Sequence, residues 1–389
     1  MQILAVANQN EGNSILTQGA LTLVTNFRET DGPTTKRVLF SNLSESGLLA
    51  NGVELPLTRA SLEYWKTNPD FNQELFTDAY VNAFDPATVL DPEFIAFNND
   101  GTKIFLNLQE NSALAVIDSD VDSATYGEVK FIDGYGPKSF TSGDGVDIVD
   151  DGECQLYTHP CLYLARRPDG IDTVEIDGED YVFTADEGSD FDISNGDEEW
   201  EEKVDSEDLI SETGDLSFAG MTFTGDATCL DNFKTGCTAA WCSNFEMTMA
   251  APYVNYADAA NPTMDKIVGI GGRGMSIFKV GSSGIDLVWD SVSSCTRQSE
   301  RISMQNISIF PDRHVLVYFG HRVLSLKSKL ATEALRGLVM LCKMKISLLS
   351  MALVMSLSMT MIRKALMKRT IPFLEMDVPL TTATLEPVP

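Results

Sequence analysis

The first 295 residues predict an all-β fold: a β-propeller, incomplete in this chain, with a β-sandwich as the structural alternative. Three observations predict it. Short alternating or apolar runs recur along the chain, Asp-Gly turns join several of them, and similar small polar and acidic clusters close the strands.

In chain order, "ILAVANQNEG" and "GALTLVTNF" (Ile3–Phe27) predict two strands joined by a polar turn. "TRASLEYWKTNPDFNQELFTDAYV" (Thr58–Val81) has helical spacing and reads as an excursion between blades. "EFIAFNNDGTKIFLNLQENSALAVIDSD" (Glu93–Asp120) predicts three consecutive strands, the first turn carrying Asp100-Gly101. "DTVEIDGEDYVFTADEG" repeats that scheme around Asp177-Gly178. "DKIVGIGGRGMSIFKV" (Asp265–Val280) reads as a third such hairpin, with "IDLVWDS" behind it. The strand ends "VANQNEG", "LNLQEN" and "FTADEG" share one pattern, as the blades of a propeller would.

Charge divides the chain. Residues 1–300 carry 16 Lys+Arg and 52 Asp+Glu, a net of −36, whereas residues 301–389 carry 12 and 5, a net of +7. An acidic body disfavours nucleic acid and anionic membranes as partners and favours cations. Six cysteines lie in this body, at Cys154, Cys161, Cys229, Cys237, Cys242 and Cys295, without the paired CxxC spacing of a zinc site. Disulfides between loops, and so an oxidising compartment, are the expectation. The "NLS" at Asn42 is a candidate glycan acceptor. "MQILAVANQNEG" opens directly as a strand, so a signal sequence is expected to precede the clipped start.

Residues 296–389 do not continue the pattern. Nine of the 15 Met fall after residue 300, but only 2 of the 28 Gly. Ile346–Ile362 is uncharged over 17 residues, the lower edge of a membrane span. A shifted reading frame accounts for this better. Because Met has one codon, the third-base frame forces Glu at Met344-Lys345, Asp at Met359-Thr360 and Gly at Met351-Ala352, which restores the acidic, Gly-containing composition of the body. The segment is therefore read as a frame-shifted or retained-intron tail rather than a native domain, with no membrane span in the native frame.

Three strings in the body, "DPEFIAFNNDGTKIFLNLQENSALAVID", "PDGIDTVEIDGEDYVFTADEGSDF" and "GIGGRGMSIFKV…LVWDS", resemble the choice-of-anchor I domain family, in order, over about residues 1–295. The resemblance implies a secreted or surface-anchored β-propeller glycoprotein. Its animal members are linked to biomineral deposition, and its bacterial members are often labelled alkaline phosphatase-like. "TADEG" stands here where "TANEG" is usual.

The candidate site residues follow from the strand ends. Glu11, Glu110, Asp186 and Glu187 occupy equivalent places in three repeats and are candidate Ca²⁺ ligands if the ends converge on one face. Otherwise each caps its own turn. Arg166, Arg167 and Arg273 are placed where an anion such as phosphate could be held. The acidic "NGDEEWEEKVDSED" reads as a solvated loop, and "DSDVD" (Asp118–Asp122) lacks the later Gly and Glu of a calcium loop. "GIGGRG" satisfies GxGxxG but precedes a strand, so no helix N-terminus awaits a dinucleotide. His159, between two cysteines, reads as a structural loop residue.

Two functions remain. One is a non-catalytic, Ca²⁺-associated extracellular glycoprotein acting in surface adhesion or mineral deposition, with mineral surface or extracellular matrix as partner. The other is a calcium-dependent phosphatase or phytase-like hydrolase, in which a metal-bound water attacks phosphate.

Overall fold

The computed structural model of the chain describes residues 2–9, 18–30, 32–67, 75–142, 145–146, 156, 158–159, 161–195, 198–205, 221–229, 231 and 245–291, with the backbones of three strands beyond them. The chain divides into two units, residues 1–325 and 326–389. The sheets described below belong to the first. Of the second, only the end of the strand Arg322–Lys327 is described. The segment read as a frame-shifted tail therefore lies outside the described residues, apart from the strands Ser308–Phe310, His314–Phe319 and Arg322–Lys327.

Among the described residues the fold is mostly β, with the short helices Glu45–Ala50, Arg59–Thr67 and Asp78–Ala83 and a 3₁₀ turn, and no sheet closes on itself. Leu4–Asn8, Ala20–Thr25 and Thr34–Leu39 form an antiparallel N-terminal sheet. Pro92–Phe97, Lys103–Leu108, Ala113–Asp118 and Val129–Gly134 form a four-stranded meander, as the alternating runs predict. Both Asp-Gly turns are hairpin turns. Gly101 takes φ +75°, and Asp177 and Gly178 take +55° and +83°, the doubly left-handed geometry that suits a two-residue hairpin.

The third hairpin is not formed as the sequence suggested. Ile267–Ile270 lies in a mixed sheet, parallel to Leu162–Ala165, while Gly274–Val280 lies in a different sheet. The intervening Gly271 (φ +90°) and Arg273 (φ +49°) turn the chain out of one sheet and into the other. Gly274–Val280 pairs with Glu179–Asp186, so Ile171–Ile176, Glu179–Asp186, Gly274–Val280 and Ile285–Asp290 make one four-stranded antiparallel sheet. Two of the recurring strings are thus the halves of a single blade-like unit, not two blades.

The two meanders pack on each other through Phe105, Leu114, Val116, Ile171, Val182 and Phe278. Thr173 Oγ1 donates to Phe97 O at 2.7 Å and Lys103 pairs with Asp180 at 2.7 Å across the same seam.

The helical excursion is present as Arg59–Thr67 and Asp78–Ala83. Each has a hydroxyl at its start: Thr58 Oγ1 accepts from Ser61 N, and Thr77 Oγ1 from Tyr80 N. The buried face of the first helix brings Trp65 edge-on to Trp200, ring centres 5.7 Å apart, and Phe76 packs on the same Trp200 at 5.8 Å. That contact corrects the expected solvated acidic loop. Asp192–Asn195 pairs with Glu198–Glu201, and Lys203–Asp205 continues into the mixed sheet. Burying one Trp and one paired Glu202 anchors a segment whose composition alone would keep it in water.

Cys161 and Cys229 form a disulfide with Cα atoms 5.5 Å apart. The other body cysteines lie outside the described residues. Among the described residues no helix is long and apolar enough to cross a membrane.

Candidate functional site

Leu162–Ala165 and Ile267–Ile270 run parallel in the mixed sheet, and both chains then cross to the second meander. Gly271 N donates to Ala165 O at 2.9 Å, so the two crossovers stay side by side. Arg166 and Arg167 sit in this double crossover, next to the "ADEG" strand end.

Arg167 is fully buried, with φ +39°, and points into the core rather than at solvent. Its Nε donates to Glu54 Oε2 at 2.9 Å, and its two terminal nitrogens bind Glu202 in a fork at 2.9 and 2.6 Å. Thr248 Oγ1 and Ser189 O take further donations at 3.0 and 2.8 Å. Glu54 also accepts from the Tyr253 hydroxyl at 2.7 Å. Burial raises the Glu54 carboxyl above its ordinary value, against the pull of Arg167 and of that hydroxyl. Burial alone would lower Arg167, but the charges of Glu202 and Glu54 more than reverse this and hold it above its ordinary value. With its donors committed to two carboxylates, Arg167 is a core ion-pair centre in this structure.

Arg166 faces the other way. It donates to Asp290 Oδ2 at 2.9 Å, lies 3.8 Å from Asp186 Oδ2 and stacks over Phe278 at 5.8 Å. Lys138 pairs with the same Asp290 at 3.2 Å. Asp186 is buried and accepts from the hydroxyls of Thr184 and Ser276. Glu187 and Arg273 are exposed on either side of the crossover.

Burial pushes the Asp186 carboxyl up to about 6, against the hydrogen bonds from Ser276 and Thr184 and the charges of Arg166 and Lys138. A carboxyl raised on folding holds its proton more tightly in the folded chain. Its stabilising contribution is complete below the unfolded value, near 4, and is lost as pH rises through 6. Asp186 is therefore expected to cost on the order of 3 kcal/mol of stability between pH 4 and pH 7. Asp186→Asn should flatten that part of the profile. Urea unfolding of both proteins at pH 4.5 and pH 7 measures the difference, and parallel profiles would remove Asp186 as its source.

Glu110 belongs to a separate cluster. It sits in the turn Gln109–Ser112 between two strands of the first meander, closed by Ser112 N donating to Gln109 O at 2.8 Å. Asn111 ties this turn to the chain entering the meander. Its side-chain amide donates to Glu54 O at 3.0 Å and Val89 O at 2.8 Å, and its Oδ1 accepts from Asp91 N at 2.9 Å. Asp91 is held against the turn in this way, and a bulge follows between Pro92 and Ile95. Carboxylate oxygens of Asp91, Glu93 and Glu110 lie within 4.8 Å of one another. Gln9 Nε2, just past the first strand, donates to Glu93 Oε1 at 2.6 Å. Glu110 is 5% exposed, and its Oε2 is buried with no hydrogen-bond partner. Burial, then the charge of Asp91, a proton shared with Asp91 and the charge of Glu93, lift its carboxyl well above the ordinary range.

Among the described residues, the group of carboxylates close enough to share an ion contains Glu110 but neither Asp186 nor Glu187. Glu11 lies outside the described residues. Asp91 and Glu93 were not singled out in the sequence. The signal for them was the "DPE" entering the first meander, adjacent in space to "LQEN" through Asn111. The "DSDVD" carboxylates form a local turn instead. Burial would raise Asp118, but hydrogen bonds from Thr125 and Ser123 and the Lys130 charge hold it well below its ordinary value. His159 is buried in a loop, its backbone N–H donating to Phe140 O. Asn42 is exposed, in the turn after Thr34–Leu39.

The choice-of-anchor I domain family model matches residues 2–312. The chain belongs to the choice-of-anchor I domain family. No curated protein and no solved structure shows significant similarity to it. Membership in the choice-of-anchor I family makes this an extracellular or cell-surface-associated protein, a setting that suits the Cys161–Cys229 disulfide. The residues that mark the family strings have physical roles here. The glycine of "ADEG" lies against Gly271, in the glycine pair of "GIGGRG", and the arginines preceding "PDGI" neutralise carboxylates from three other segments.

Proposed function

We propose that this choice-of-anchor I protein is a non-catalytic, Ca²⁺-associated extracellular protein with a role in surface adhesion or mineral deposition. The observation that carries this reading is the distribution of charge. Residues 1–300 hold 36 more acidic than basic groups, and the two arginines of the crossover are buried in ion pairs. An acidic excess of this size gathers divalent cations and opposes a cationic mineral face. The exposed Asn42 sequon suits a glycoprotein.

One observation favours a second reading, a calcium-dependent phosphomonoesterase. Asp186, with its carboxyl at about 6, stands beside Arg166, as an acid–base group beside an anion holder would. The test is adsorption of the protein to calcium phosphate crystals, together with hydrolysis of p-nitrophenyl phosphate with and without CaCl₂. Adsorption without turnover is the expected result. Calcium-dependent turnover abolished by Asp186→Asn would overturn it in favour of the hydrolase.

A further inference from the structure

We infer that Asp91, Glu93 and Glu110 form a discrete internal Ca²⁺ site at the seam between the N-terminal sheet and the first meander. The inference rests on the cation-associated reading above and adds one stoichiometric site to a diffuse acidic surface.

Three carboxylate groups whose oxygens lie within 4.8 Å of one another repel strongly unless a proton or a cation stands between them. Proximity alone is common among surface acids. What singles out this group is Glu110, which is 5% exposed and has an oxygen buried without any hydrogen-bond partner. Buried carboxylate oxygens are almost always satisfied, and this one would be satisfied either by a proton shared with Asp91 or by a cation among the three carboxylates. The donors are all hard oxygens, which excludes soft thiophilic metals and fits Ca²⁺ or Mg²⁺.

The placement of the donors favours the larger ion. They come from a strand entry, the bulge beside it and a hairpin turn, so their spacing is set by the meander rather than by an octahedral cage. Ca²⁺ tolerates such irregular sets, and water can complete the shell.

The site also has a structural consequence. Gln9 reaches it from the N-terminal sheet, Asn111 ties it to Glu54, and Glu54 is a partner of Arg167. A cation bound here fastens the first strand to the first meander and adjoins the buried ionic network at one remove.

The experiment is calorimetric titration of the full chain with CaCl₂ and with MgCl₂ in 0.15 M NaCl, paired with thermal melts. The wild type is expected to show one tight stoichiometric Ca²⁺ event above a weak multi-site background, and a melting temperature raised by roughly 5 °C at saturating Ca²⁺. Glu110→Gln should fold, keep the weak background, and lose at least tenfold in affinity of the tight event together with the thermal shift. Asp91→Asn and Glu93→Gln provide the same comparison should Glu110→Gln not fold. A tight event that survives these variants, or equal binding of Mg²⁺, overturns the assignment. Weak binding alone, identical in wild type and variants, overturns the internal site and leaves the acidic-surface reading standing. No calcium binding of either kind overturns both.

Discussion

Replacing Arg167 by Met is expected to cost about 3–5 kcal/mol of folding free energy, enough to leave much of the protein unfolded at 37 °C. The reason is the pair of carboxylates left behind. Glu54 and Glu202 are both fully buried and both bonded to this guanidinium. Without it two unpaired charges face each other in the core. Each must take up a proton or draw water inward, and neither route recovers the lost interactions. Lysine does not substitute. Arg167 makes donations to Glu54, Glu202, Thr248 and Ser189 from three nitrogens, whereas an ammonium offers three protons from one point. Urea unfolding followed by far-UV circular dichroism measures the loss. Adding Glu54→Gln and Glu202→Gln to Arg167→Met should recover part of it, because the charges that made the cavity costly are gone. A loss below about 1 kcal/mol in the single variant would mean that the triad contributes little.

Gly188→Ala is expected to cost about 2–4 kcal/mol, through two separate physical effects. Gly188 adopts φ +98°, outside the range that side chains accept comfortably, and a Cβ there would lie 2.6 Å from Gly271 N. Gly271, at φ +90°, would in turn drive a Cβ onto the Glu187 carbonyl. The two backbones touch because the parallel crossovers bring "ADEG" against "GGRG", and any methyl group pushes them apart. Gly178→Ala separates the effects. Its φ of +83° is similar, but no atom lies within 4 Å of the added Cβ, so only the conformational cost of about 1 kcal/mol remains. Equal losses in the two variants would show that close approach is not the cause.

How much of this was legible in the sequence depended on the range of the interaction. The hairpins at Asp100-Gly101 and Asp177-Gly178 were readable because a turn is decided by its own residues, which must accept positive φ. The helical excursion was readable from its spacing. The pairing of Glu179–Asp186 with Gly274–Val280 was not, since period-two alternation tells a strand which face is buried but not which partner it takes. The acidic segment around Trp200 was misjudged for a related reason. Its charge pattern is that of a solvated loop, and only the Trp65 and Phe76 rings, more than a hundred residues away, make it an ordered hairpin.

The site shows the same limit. Glu110 was legible as a strand-end carboxylate, but its companions Asp91 and Glu93 were brought to it by Asn111, a contact that a one-dimensional reading cannot rank. Arg166 and Arg167 read as groups available to an anion because charged residues at strand ends usually face water. Their partners come from 113, 35 and 124 residues away, and these decide that both are buried instead.

By itself, then, the sequence determined the β class, the local turns, the acidic composition and the family, because each follows from residues close together in the chain or from long matching strings. The tertiary structure alone decided which strands share a sheet, which charges neutralise each other and which carboxylates converge. Those outcomes depend on long-range packing, in which a charge's surroundings are set by segments the local sequence does not contain.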